Sequence, residues 1–176
     1  MTRGAIAYAV LVILVVSRTA AAEVSLQKLT WELGRRAPVT KPAAAKFERI
    51  ETLKLESGRI GGKLHARLTL VNRGPKALEG ILLRYSLTAR LVPLAEKKEG
   101  VWVVAFLLDE RHVPKIGANQ VQDVLLDPSV LLDLYLKKAQ RGGYVPDRIR
   151  LDLMIEPHPG DNLPIQSLQS ELGIDP

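Results

Sequence analysis

Cysteine is absent from the 176-residue chain, and aromatic residues are scarce: two Trp, four Tyr and two Phe. Without cysteine there is no disulfide, no thiolate metal site, no cysteine nucleophile and no covalently attached c-type haem. The few aromatics are scattered, which disfavours the stacking platforms that nucleic-acid binding uses. Neither sign of charge dominates, since 25 Lys plus Arg face 19 Asp plus Glu for a formal net charge of +6. At 47% hydrophobic residues the chain is neither disordered nor collagen-like in composition. Its length suits one ordinary domain.

Long hydrophobic runs are also missing, apart from a short one at the start. Met1-Thr-Arg3 precedes the uncharged stretch Gly4 to Val16, and Ser17-Arg-Thr-Ala-Ala-Ala22 follows. A basic head, a short apolar run and a small-residue end have the layout of a secretory signal peptide, whereas a membrane-spanning helix needs about twenty apolar residues. Residues 1–22 are therefore expected to be a signal peptide, cleaved before Glu23. Their removal takes Arg3 and Arg18 from the 25 basic residues, leaving 154 residues with a formal net charge of +4. A chain of that size buries roughly two-thirds of its unfolded surface and does not need disulfides. The expected location is outside the cytoplasm, periplasmic or extracellular, with no transmembrane span after cleavage.

Residues 23–45 are expected to be an N-terminal segment and Pro/Ala linker. Glu23 to Leu33 fits either a helix face or one side of a strand, and Arg35 to Ala45 is extended because each proline disfavours helix before it. Phe47 to Leu55 is expected to be a strand. In Lys63 to Asn72, Leu64, Ala66, Leu68 and Leu70 alternate with His65, Arg67 and Thr69, the period of a half-buried strand. Asn72-Arg-Gly74-Pro75 makes a turn, and Leu78 to Leu87 forms the next strand with a break in phase, read as a bulge, near Gly80. Val101 to Leu108, apolar on both faces, is expected to be a central strand joined to Leu91–Leu94 as a hairpin. Val113 to Asn119 is expected to be a loop, and Gln120 to Leu126 another strand.

Asp127-Pro128 opens a helix, about residues 128–141, with Asp127 as its cap and an Asp133–Lys137 pair one turn apart. Lys137, Lys138 and Arg141 suit the negative helix end, and Gly142-Gly143 stops it. Ile149, Leu151, Leu153 and Ile155 then alternate along a last strand, and residues 157–176 are expected to be an extended C-terminal tail. The sum is a mainly β domain over residues 46–156. It is expected to be an antiparallel Ig-like β-sandwich of about seven strands, with one helix inserted before the last strand.

The run from Gly62 to Leu87, with Val71-Asn72-Arg73-Gly74 at its turn, resembles bacterial exported Ig-like or fibronectin-III-like modules of the FxLYD and CARDB kind. Val113-Pro-Lys-Ile-Gly117 is similar to their later Pro-containing loop, and the likeness covers about residues 60–127. Ser86-Leu-Thr-Ala stands where those modules carry a Tyr-Asp-x-x-Gly corner. The resemblance implies a structural motif without catalytic residues, in domains that serve adhesion, assembly or spacing.

The search for chemistry is brief. His65, His112 and His158 show no H-x-x-x-H or H-E-x-x-H spacing, and His65 is expected to face solvent while His112 lies in a loop. There is no G-x-S-x-G elbow and no phosphate-binding glycine motif. No catalytic, metal-ligating or cofactor-binding residue is assigned, and no cofactor is expected. Asp109 with Glu110, and Asp123 with Asp127, are the carboxylate pairs a hydrolase of glycosidic bonds would need. They are expected instead to be strand ends and a helix cap. Arg35, Arg36, Lys97, Lys98, Lys137, Lys138 and Arg141 are candidate contacts to an anionic surface. Trp31 is the candidate for an exposed contact and Trp102 for the core. The function expected from these features is a non-catalytic interaction or assembly module of the bacterial cell envelope, with another envelope or secreted protein as partner and no nucleic acid. The alternative is a module for anionic glycan or lipid, and behind it stands a carboxylate-dependent hydrolase.

Overall fold

A computed structural model describes residues 24–35, 46–56, 58–95, 99–156 and 165–175. The proposed signal peptide, Arg36, Lys97, Lys98, His158 and most of the Pro/Ala linker lie outside the described residues. The elements in chain order are β1 (Val24–Arg35), β2 (Phe47–Ile50), β3 (Thr52–Glu56), β4 (Arg59–Ile60), β5 (Gly62–Asn72), β6 (Leu78–Pro93), β7 (Val101–Trp102), β8 (Leu107–Ile116), β9 (Val121–Leu126), α1 (Ser129–Arg141), β10 (Tyr144–Glu156) and β11 (Gln166–Asp175). Among the described residues the chain is mainly β with one helix, and its strands form a four-stranded sheet and a larger, curled sheet.

The smaller sheet runs β2-β1-β5-β9. The larger runs β4-β3-β11-β10-β6-β7, with β8 also pairing β6. The two meet where β2 passes into β3 through the single residue Glu51: Trp31 pairs with Ile50 in the first sheet, and Gly173 pairs with Thr52 in the second. A strand that bends from one sheet into another forms a corner between them. Phe47 to Leu55, expected as one strand, is therefore two strands in different sheets. The same corner makes the larger sheet mixed, because β3 reaches β11 in the direction set by its pairing upstream and runs parallel to it.

The alternation along β5 places Leu64, Ala66, Leu68 and Leu70 in the core as the sequence predicts. Opposite them, Ile81, Leu83, Leu87 and Ala89 of β6 and Ile149, Leu151 and Leu153 of β10 point inward, and Leu132 and Leu136 of α1 join the same cluster. Each fully buried leucine contributes roughly 1.5–3 kcal/mol by leaving water, which is how a chain without disulfides holds together. The helix forms over Ser129–Arg141, close to the expected span, but its N-cap position is Pro128 and not Asp127. Asp127 Oδ1 lies 2.8 Å from the Ser129 hydroxyl and accepts from its N–H, and Gly142 and Gly143 donate back to the last-turn carbonyls. Asp133 does not serve a surface pair; its Oδ1 accepts from the Ile60 N–H and docks α1 on β4.

Several expectations are overturned. Residues 166–175 are not a tail: β11 lies inside the larger sheet between β10 and β3 and buries Leu172 and Ile174. Its sequence hides this because Gln166, Ser167, Gln169, Ser170 and Glu171 dilute the apolar alternation. The N-terminal segment resolves as strand, with β1 flanked by β2 and β5. Val101 to Leu108 is not a central strand; β7 ends at Trp102, and Val104 and Leu108 are 87% and 78% exposed. A run apolar on both faces here marks a sheet border. At Gly80 the ladder with β8 keeps register, yet the inward phase switches on both strands, from Leu78 and Ile116 to Ile81 and Val113. Gly80 takes φ +68° opposite Pro114, a conformation that glycine adopts without steric cost. Val113 to Ile116 accordingly belongs to β8, and only the link Gly117–Gln120 is a loop.

Candidate functional site

The turn that carries the sequence resemblance is held by one buried side chain. Asn72 is fully buried, and its Nδ2 donates to Lys76 O and Gly117 O at 2.8 Å while its Oδ1 accepts from the Gly74 N–H at 2.9 Å. Asn119 N–H donates to Gly74 O, and Asn72 N–H to Gln120 O. One amide thus ties the β5–β6 turn to the β8–β9 loop.

The outer face of the smaller sheet carries a polar network. Arg67 makes two hydrogen bonds to Glu32, at 2.7 and 2.9 Å, and also reaches Asp123, which accepts from Thr69. Lys63 Nζ lies 2.8 Å from Asp127 Oδ2. His65 corrects its expectation: it is only 6% exposed, because Phe47 stacks on its ring at 4.3 Å. Burial pushes the imidazole below its ordinary range, against the pull of Asp127 3.8 Å away. Burial also pushes the Asp127 carboxyl up, but hydrogen bonds from Lys63 and Ser129 outweigh it and hold the group low. Asp127, His65 and Ser129 are neighbours without being a catalytic triad, since the carboxylate sits between hydroxyl and imidazole. A triad requires the imidazole to be bonded to the nucleophile.

The remaining carboxylates are also engaged. Asp109 accepts from the Tyr85 hydroxyl at 2.7 Å, and burial followed by that bond raises the Tyr85 pKa. Glu110 turns to the other face toward Arg84, so the two point apart as the strand pattern predicts. Among the described residues no group of three His, Asp or Glu side chains converges to hold a metal.

The larger sheet presents a concave outer face. Its cross-strand registers align Leu108, Ser86, Asp152 and Gln169 in one row and Glu110, Arg84, Met154 and Ser167 in the next. These eight residues border a trough of about 660 Å³. Leu108 and Met154 are 78% and 44% exposed, apolar points in an otherwise polar grid. Arg84 lies between Glu110 and Glu156, and Arg150 bonds Asp152 with its guanidinium 4.8 Å from the Trp102 ring centre. Trp102 is half-buried beneath that cation at the sheet border. Along the trough runs β8, which pairs only with β6 among the described residues, so its other backbone edge is open.

Of the predicted contact residues, Arg36, Lys97 and Lys98 lie outside the described residues. Arg35 ends β1, with Gly62 as its cross-strand partner. Lys137, Lys138 and Arg141 lie on the second half of α1, and Lys137 and Arg141 border a separate pocket with Arg59. Trp31 reverses its expectation: it is 3% exposed in the core. Sequence reasoning missed the β8 edge because Val101 to Leu108 reads as interior, and missed Arg59 because it is an isolated basic residue in a hairpin.

No helix among the described residues is long and apolar enough to cross a membrane. No family model and no curated protein matches the chain. A crystal structure of a protein from Archaeoglobus fulgidus resembles it with 12% identity and a TM-score of 0.33, covering 85% of this chain and 97% of that one.

Proposed function

We propose that the chain is an exported, non-catalytic module of the bacterial cell envelope that holds another envelope or secreted protein. The observation that carries this reading is the open edge of β8 beside the trough with Leu108 and Met154. An unpaired strand edge is a template for an added strand, with backbone bonds giving affinity and alternate side chains giving specificity. Leu108 and Met154 supply apolar anchors on the face such a strand borders. The two sheets around one core and the Asn72 turn support the further reading of an Ig-like sandwich of the FxLYD and CARDB kind. Among the described residues no histidine lines the trough beside Ser86 or Ser167.

The contact is assigned to β8 and not to the C-terminal segment, whose residues 166–175 are occupied in the sheet. A photo-reactive residue in place of Leu108 or Met154, activated in the native envelope, is expected to attach a specific protein identified by mass spectrometry. Pro in place of Arg111, with Leu108→Lys, is expected to abolish that attachment while the thermal transition stays cooperative. Attachment unchanged by these substitutions sinks the β8 assignment. Cleavage before Glu23, read from the N-terminus of the exported protein, tests the location.

A further inference from the structure

A second pocket, sharing no residue with the trough, lies between the β3–β4 hairpin and the last turns of α1. It is lined by Gly58, Arg59, Lys137, Gln140 and Arg141 and measures about 430 Å³. Three cationic side chains converge in it and no carboxylate lines it. Among the described residues none of the three forms an ion pair, whereas Arg67, Arg84, Arg90, Arg148 and Arg150 all do. The negative helix end accounts for basic residues in the last turn, Lys138 and Arg141. It does not account for Arg59, which comes from β4 and is held there by other means. Ile60 N–H is bonded to Asp133 of α1, and Gly58, at φ +74°, packs so closely that a Cβ would lie 2.7 Å from Gln140 Nε2. The hairpin backbone thus seats directly on the helix and delivers Arg59 beside Lys137 and Arg141.

Glu56, the cross-strand partner of Arg59, and Asp133, one turn before Lys137, lie outside the pocket lining. Like charges brought together repel, and an anion in the pocket relieves that repulsion. We infer that this pocket binds a phosphate group, with Arg59 and Arg141 offering guanidinium forks, Lys137 an ammonium and Gln140 an amide donor. A phosphate carries about −1.5 to −2 charges and three acceptor oxygens, which match several converging cations better than a planar carboxylate does. Free phosphate or a soluble phosphoester and a phospholipid headgroup share this chemistry.

Inorganic phosphate titrated into the purified protein is expected to shift the amide resonances of Gly58, Arg59 and Gln140 saturably. The triple variant R59Q/K137Q/R141Q is expected to weaken binding about tenfold or more. A control triple of equal charge loss at exposed positions away from both sites, K28Q/R73Q/K76Q, is expected to stay within about twofold, since the effect is local and not one of net charge. All six side chains are solvent-accessible, so both variants are expected to keep the wild-type thermal midpoint. Vesicles of phosphatidylcholine with and without phosphatidic acid separate the sources. Binding to phosphatidic acid that free phosphate displaces assigns a headgroup; phosphate binding without vesicle binding assigns a soluble ligand. Absence of a saturable phosphate shift, or equal weakening in the control triple, overturns the inference and leaves the β8 proposal untouched.

Discussion

The indole Nε1–H of Trp31 donates to Ser170 Oγ at 3.1 Å, linking β1 of one sheet to β11 of the other across 139 positions of sequence. Nearby, the Gln166 amide donates to Val24 O and accepts from the Leu26 N–H, beyond the point where β2 stops covering β1. Two polar side chains from the last strand therefore complete the bonding of the first. Trp31→Phe keeps most of the packing and loses the bond, with an expected cost of about 1 kcal/mol. Trp31→Ala also opens a cavity and is expected to cost about 3–5 kcal/mol. Urea unfolding of both variants checks the order; equal costs mean the bond, not the ring, dominates.

Truncation before Gln166 tests whether β11 belongs to the domain. Its loss uncovers the edges of β10 and β3 and takes the buried side chains of Leu172 and Ile174 out of the core. The shortened chain is expected to lose its cooperative thermal transition and to aggregate through the freed edges. A truncated chain with the wild-type midpoint contradicts the strand assignment.

Asn72→Ala removes every bond that ties the β5–β6 turn to the β8–β9 loop through its side chain. Lys76 O, Gly117 O and Gly74 N–H lose their partner in a buried site, and the expected cost is about 2–4 kcal/mol. Amide hydrogen exchange is expected to rise at Gly74 and Asn119 before it rises in β10. Uniform exchange across the sheets disproves the local tie.

The stability of the protein is expected to fall as pH drops from 7 toward 5. Folded His65 titrates below its ordinary value of 6.5 because it is buried, so the unfolded chain takes up the proton first. Its neutral form favours folding fully above that value, and the contribution is lost as pH falls from it toward the folded pKa. Asp127, held below 3.8, adds a second loss only below that pH. Glu32, Lys63 and Arg67 also face the imidazole. His65→Phe retains a ring against Phe47 and is expected to flatten the stability profile between pH 7 and 5 while leaving the acid limb. Chemical denaturation across pH measures both limbs, and an unchanged slope in the first sinks the assignment.

Where local pattern and final environment agree, the sequence is legible. Leu64 to Leu70 and Ile149 to Leu153 alternate because one face of each strand is buried. Asp127, Lys138, Arg141 and Gly142-Gly143 mark the helix because its ends demand those groups locally. His65 is hidden by a residue 18 positions upstream, and no periodicity reports a ring that reaches it from β2 across Gly34 of β1. Gln166 to Asp175 looks unstructured because β11 is half polar, and two of those polar side chains satisfy β1. The candidate site was less legible still. Its exposed Leu108 sits in an apolar run whose border position depends on β8 pairing with β6 alone.

The amino-acid order by itself determined the strand-rich character, the helix after Asp127 and the Asn72 turn, because each rests on contacts or conformations within a few residues. It also set the absence of any thiol chemistry. Only the tertiary structure decided that β2 and β3 part at Glu51, that Trp31 is core and that Val104 and Leu108 are not. It also decided that Arg59 meets Lys137 and Arg141. Those outcomes depend on which elements lie side by side across separations from about twenty to well over a hundred residues, and pairing at that range is settled by the shared core, not by the local alternation of side chains.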